Sequence, residues 1–145
     1  MLKIADQKTD KNIPSQEIVP QRQIEVELAQ IVNLGNLECV YLFSADGLLI
    51  SGVQGRSDFT QDNALEVAYS VYDGFEFLRD TDGFAGGMEV LLFDRSRRKI
   101  GVRIFKAFAQ DVMMVLVIPP GRRYRFLTNR LIGLIKQISK QSLKY

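Results

Sequence analysis

The most restrictive stretch of this chain is Val112–Ile118, Val-Met-Met-Val-Leu-Val-Ile, which is apolar at every position. A strand of that kind has no solvent face, so it belongs inside a sheet covered on both sides. Cys39–Phe43 repeats the pattern over a shorter run, and these two segments are predicted to be neighbours at the centre of one sheet. Ala45-Asp46-Gly47 then turns the chain into Leu48–Ser51, a hairpin. Two further strands, Met88–Asp94 and Ile100–Ala107, precede Val112 and are separated only by the turn Arg95-Ser96-Arg97-Arg98 and by Gln110-Asp111. Parallel neighbours need long crossovers, so connections this short specify an antiparallel sheet. Pairing the hairpin to one side of the two central strands and the meander to the other gives the spatial order 2-1-5-4-3. Strands two and three are then the edges, and Glu89-Val90-Leu91-Leu92-Phe93 carries too little charge to prevent pairing with another chain, so a dimer is expected.

Helical periodicity accounts for the rest. Pro20 suits the first turn of a helix that buries Ile24, Leu28 and Ile31 and stops at Gly35. Thr60 is placed to cap a second helix whose inward stripe is Ala64, Ala68, Val71, Phe75 and Leu78. After Pro119-Pro120-Gly121, the positions Tyr124, Leu127, Leu131, Leu134, Ile135 and Ile138 trace a third helix. The class is α+β, a single domain with helices on both faces of the sheet. Residues 1–19, where charges of both signs surround Pro14, read as a flexible arm outside a folded domain of residues 20–145. No run is long or apolar enough for a signal peptide or a membrane span, so a cytoplasmic protein is expected.

The composition contains no histidine and one cysteine, Cys39, which removes Ser-His-Asp, Cys-His and imidazole-metal chemistry and any internal disulfide. Gly83-Phe84-Ala85-Gly86-Gly87 lacks the lysine and hydroxyl of a phosphate cradle. Asp80, Asp82, Gly83 and Glu89 fit positions of a calcium loop, but Leu78 stands where its first carboxylate belongs. Ser96-Arg97-Arg98-Lys99 is a turn between strands without the supporting motifs of an acyl-transfer enzyme. No catalytic residue, cofactor or metal ligand is assigned, and the chain is expected not to be an enzyme.

The second helix is more apolar than one buried stripe requires, since Leu65, Tyr69 and Phe77 project to its sides and back. Gly74 inside it costs helix stability and suits the close approach of another backbone or a bulky side chain. Between Ser57 and Gly83 seven acids oppose Arg79 alone, whereas Gly121–Tyr145 holds seven Lys and Arg and no acid, in a chain of net charge +2. Such a basic helix could meet polyanions. Its cations also suit the helix C-terminus, and with Leu127, Leu131 and Ile135 buried it retains no apolar face for insertion, so neither nucleic acid nor membrane contact is expected.

The hairpin Val40-Tyr41-Leu42-Phe43-Ser44-Ala45-Asp46-Gly47-Leu48-Leu49-Ile50-Ser51-Gly52, the long helix from about Asp62, and the strand trio with its final helix resemble the roadblock/dynein light chain family over about Ile24–Ile138. The layout is similar to that of profilin-like and longin domains. The resemblance implies a non-catalytic dimer, homodimeric or formed with a paralogue, whose third strands pair and whose second helices lie side by side. Met88, Val90 and Leu92 would then lie near the seam with Gly74, while Leu65, Tyr69, Asp73, Glu76 and Phe77 would line or border a helix platform. In similar proteins that platform binds a small Ras-like GTPase or an assembly subunit. Members include a gliding-motility regulator that activates its cognate GTPase, and others that join dynein or a lysosomal scaffold. The basic segment Arg122-Arg123-Tyr124-Arg125 after Pro119-Pro120-Gly121 and the arm before Pro20 depart from the family pattern. Two alternatives remain: a ligand-sensing domain with a pocket between sheet and helix, and a scaffold subunit using the basic final helix.

Overall fold

The computed structural model describes residues 15–56, 58–81, 83 and 89–142. Its elements, in chain order, are α1 (Ser15–Gly35), β1 (Cys39–Ser44), β2 (Leu49–Val53), α2 (Gln61–Arg79), β3 (Glu89–Phe93), β4 (Lys99–Ala107), β5 (Gln110–Ile118) and α3 (Arg125–Ser142). All strand pairings are antiparallel, and the sheet order is β2-β1-β5-β4-β3.

The two apolar strands lie where their side chains require. Val112, Met114, Leu116 and Ile118 of β5 face α1 and α3 together with Val40 and Leu42 of β1. Met113, Val115 and Val117 face α2 together with Cys39, Tyr41 and Phe43. The domain is therefore three-layered, with two helices on one face of the sheet and one on the other. On β2 the alternation breaks: the register slips opposite Leu42 and Phe43, and both Ile50 and Val53 turn toward the α1/α3 side. One extra residue in a strand reverses which face the following side chains occupy.

α2 begins where Thr60 ends an extended segment. The Thr60 hydroxyl accepts from Asn63 N at 3.1 Å, while Thr60 N donates to the Asn63 side chain at 3.0 Å, so a threonine and an asparagine close a reciprocal cap. α1 departs from the periodicity reading. It starts at Ser15, so Pro20 lies inside the helix, and residues 15–19, assigned to the arm, are helical in backbone. A proline there has no N–H to donate to the preceding turn.

Arg98 ties three connections together. Its guanidinium reaches Asp94 in its own turn (2.7 Å), Glu38 before β1 (2.8 Å) and Asp58 before α2 (3.1 Å). These partners raise the Arg98 pKa, Asp94 foremost, and the Arg98 side chain holds the Asp94 carboxyl below the usual carboxylate range.

Gly55, in the loop that leaves β2, has φ +61°, and a Cβ placed there would overlap the backbone oxygen of Glu38. Left-handed backbone strain for a non-glycine residue is about 1–2 kcal/mol, and the oxygen it would meet cannot swing away. Gly55→Ala is expected to lower unfolding free energy by more than about 2 kcal/mol in urea titration, well above the ~0.5 kcal/mol of an ordinary surface change.

Candidate functional site

The residues that the resemblance assigns to contacts lie on two surfaces, the β3 edge and α2. The first is the β3 edge. β3 pairs with β4 only, and Val90 and Leu92, opposite Val102 and Ile100, share the α2 face of the sheet. Val90 is half-buried and Leu92 exposed. The opposite edge is better protected: β2 is bulged, α1 packs beside it, and the Gln21 amide donates to Ile50 O at 3.4 Å. An unpaired strand that presents Val and Leu invites another strand. Met88, assigned to the same seam, lies outside the described residues.

The second surface is α2, whose circumference divides into three. Ala64, Ala68 and Phe75 point into the sheet and are buried. On the flank turned toward the β1–β2 hairpin and the start of β5 are Leu65, Tyr69, Tyr72 and Glu76, all partly buried. The outward ridge carries Asp62, Glu66, Ser70, Asp73, Phe77 and Asp80, all exposed, with Phe77 72% accessible. These positions fall within one helix sector of about 80° and form an acidic rail interrupted by one aromatic ring.

The five residues assigned to the platform fall in one continuous sector of about 120° that runs from the hairpin-side flank onto the ridge. Asp73 and Phe77 stand on the ridge. Glu76 is half-buried and pairs with Arg79 at 3.0 Å. Leu65 packs against the core cluster, and Tyr69 lies over the hairpin turn, where a Cβ on Gly47 (φ +86°) would overlap its hydroxyl. Tyr69 is therefore also a packing residue of the β1–β2 turn. The remaining flank carries Val67, Val71, Gly74 and Leu78. Gly74 is open, with no atom within 4 Å of the Cβ position, as an approach site for a second backbone requires. Leu78, placed on the buried stripe by periodicity, is exposed. It lies about 60° from the centre of that stripe at 100° per residue, at the shoulder beside Gly74.

Tyr72 was singled out by no motif and anchors this helix electrostatically. Its hydroxyl donates to Asp111 Oδ2 at 2.8 Å, and Lys106 Nζ holds the other carboxylate oxygen at 2.6 Å. The hydrogen bond to Asp111, reinforced by burial, pushes the Tyr72 pKa up to about 12. Lys106 and then Tyr72 hold the Asp111 carboxyl below its ordinary value of 3.8 against the effect of burial. Only an aromatic hydroxyl at this distance along α2 reaches the first residues of β5, and that proximity is tertiary.

A groove of about 350 Å³ opens between α1 and α3, lined by Val26, Leu134, Ile138 and polar neighbours.

No family model matches the sequence, and no curated protein matches it. Solved structures do. Myxococcus xanthus MglB superposes with a TM-score of 0.71 at 11% identity, over 84% of this chain and 91% of that one. The gliding protein MglB of Thermus thermophilus gives 0.60 at 11% identity, over 84% and 92%. A Roadblock/LC7 domain from Streptomyces avermitilis gives 0.62 at 17% identity, over 83% and 98%. The chain has the roadblock fold, as the hairpin and element order indicated.

Tyr72→Phe is expected to destabilise the domain by about 1 kcal/mol, the value of a part-exposed hydrogen bond to a charged group. The pH dependence has a definite sign. Asp111 is depressed when folded, so its contribution is full above pH 3.8 and is lost as pH falls through the lower folded value. Tyr72 is raised, so its contribution is full below its ordinary 10.0 and is lost as pH climbs through about 12. Thermal melts of the wild type and Tyr72→Phe should converge at both extremes.

Proposed function

We propose that this chain is a non-catalytic dimeric interaction module of the cytoplasm that regulates or tethers a small Ras-like GTPase through the outward ridge of α2. The observation that carries the reading is Phe77, 72% exposed among the acids Asp73, Glu66 and Asp80 and the most exposed apolar residue of α2, where Leu78 reaches 36% and the others are at least partly buried. An exposed aromatic ringed by charge has the anatomy of an interface anchor. The resemblance to the roadblock family supplies the class of partner, and the likeness to solved MglB structures supports a fold suited to it.

Dimerisation follows from the same face. Two copies joined through β3 would extend the sheet, seat Val90 and Leu92 at the seam, and bring their Gly74–Leu78 flanks together. The mate can be a second copy or a paralogue. The two ridges would then lie side by side as one acidic platform, bordered by Leu65, Tyr69 and Glu76. Hydrolysis, if promoted, would rest on ordering the GTPase's own residues, because the one arginine of α2, Arg79, is held by Glu76 and projects no free finger.

The immobilised chain, challenged with native lysate plus GDP or a non-hydrolysable GTP analogue, is expected to retain a small GTPase in preference with one nucleotide. Phe77→Ser should weaken that retention at least tenfold, the loss of a hot-spot aromatic of about 2 kcal/mol, without altering the thermal midpoint. Equal retention by the variant would remove the ridge from the interface. Tyr69→Ser is the less informative variant, since it also uncovers the Gly47 turn. For the dimer, sedimentation of Leu92→Asp should give a monomer where the wild type gives a dimer, and a monomeric wild type would limit the seam to mixed pairs.

A further inference from the structure

The face opposite α2 carries a feature that the GTPase reading does not use. Tyr124, Thr128, Leu131 and Ile135 turn the inward side of α3 to the sheet. Phe126 lies about 180° from the centre of that stripe at 100° per residue, and it is 77% exposed. Leu34, 66% exposed, lies in the last turn of α1. The two helix ends abut, since a Cβ on Gly35 would meet Leu127 Cδ1 at 2.7 Å. Two projecting apolar side chains therefore mark one end of the molecule.

The charge around them has one sign. Arg122 and Arg123, in the loop before α3, and Arg130, one turn after Phe126, are exposed and have no carboxylate partner among the described residues. Arg56 joins them from the loop after β2, bonded to the Asn36 amide just past Leu34. The nearby carboxylates are engaged elsewhere, Glu38, Asp58 and Asp94 by Arg98 and Glu89 by Arg125 and Arg103. From Gly121 to Tyr145 the sequence contains no acid.

We infer that this end of the domain, Leu34 and Phe126 ringed by Arg56, Arg122, Arg123 and Arg130, docks on an anionic phospholipid surface. Exposed arginines meet lipid phosphates at a bilayer surface, while an exposed phenylalanine and leucine enter the boundary between headgroups and acyl chains. One exposed phenyl ring and one aliphatic side chain do not make the rows of aromatics on which the bases of a nucleic-acid strand stack. A protein partner would need a pocket for Phe126, whereas a lipid interface is deformable. The expectation of no membrane contact rested on Leu127, Leu131 and Ile135 being consumed by the core. Leu131 and Ile135 are buried and Leu127 is half-buried, but Phe126 is additional to them. Attachment would be peripheral, since no helix of the described residues is long and apolar enough to cross a membrane. α2 lies on the other face of the sheet, so the docked protein would keep its acidic ridge directed away from the bilayer.

The full chain is to be sedimented with phosphatidylcholine vesicles, with and without phosphatidylglycerol. Binding is expected only to the anionic vesicles and should fall as salt rises. Each arginine changed to glutamine should lower the partition coefficient about fivefold, so Arg122→Gln, Arg123→Gln and Arg130→Gln together should lower it about a hundredfold. Phe126→Ser, which leaves the charge unchanged, should lower it several-fold. All four side chains are exposed, and unchanged thermal midpoints will show that the variants fold. Equal sedimentation with neutral and anionic vesicles, no binding at low salt, or arginine-dependent binding to an oligonucleotide in place of vesicles would each overturn the inference. Phe77→Ser should leave vesicle binding intact, which separates a failure here from a failure of the GTPase reading.

Discussion

Burial of β5 on both faces is the constraint on which the rest of the architecture depends. Residues Val112–Ile118 are inaccessible to solvent, and so is nearly all of β1 beside them. A strand in that position cannot exist in a two-layer domain, because one row of its side chains would face water. It obliges α1 and α3 to cover one side and α2 the other. It also sets the edges, since short connections leave β2 and β3 as the outermost strands. The burial of apolar area along these two strands is the main stabilising contribution, and the Arg98 and Asp111 networks fix how the covering helices are seated.

That layering separates two surfaces of opposite charge. The single helix α2 turns its acids outward on one face, while the arginines that lead into α3 project from the other end and side. The sheet between them keeps the two from neutralising each other within one molecule. A domain of nearly balanced net charge can thereby present an acidic interface to one kind of partner and a basic one to another. Glu89 at the start of β3 bonds Arg125 at the start of α3, so the β3 edge borders both the acidic and the basic surface.

Much of this was legible in the residues. Thr60 marks the start of α2, Asp46-Gly47 marks the hairpin, and the uninterrupted apolar runs mark the central strands. These signals are local, so they survive without knowledge of the neighbours. The misreadings occur where two elements meet. Pro20 looks like a helix start in isolation, yet α1 runs through it from Ser15. Leu78 has the right spacing for the core but sits at the shoulder of its stripe. Tyr69 reads as a spare aromatic until the Gly47 turn is brought beneath it, and Tyr72 has no signal at all until β5 delivers Asp111 and β4 delivers Lys106.

By itself the sequence determined the α+β class, the antiparallel order 2-1-5-4-3, the acidic and basic segments and the absence of histidine chemistry. Those properties follow from side-chain alternation, connection length and composition, which are fixed along the chain. Only the tertiary structure decided which apolar residues stay in water. Phe77, Leu34 and Phe126 differ from Phe75, Leu28 and Leu127 by a rotation about a helix axis, and that rotation takes its meaning from where the sheet and the neighbouring helix lie. Exposure is a property of packed surfaces, so the ridge of α2 and the basic end of α3 are defined only once the layers close around β5.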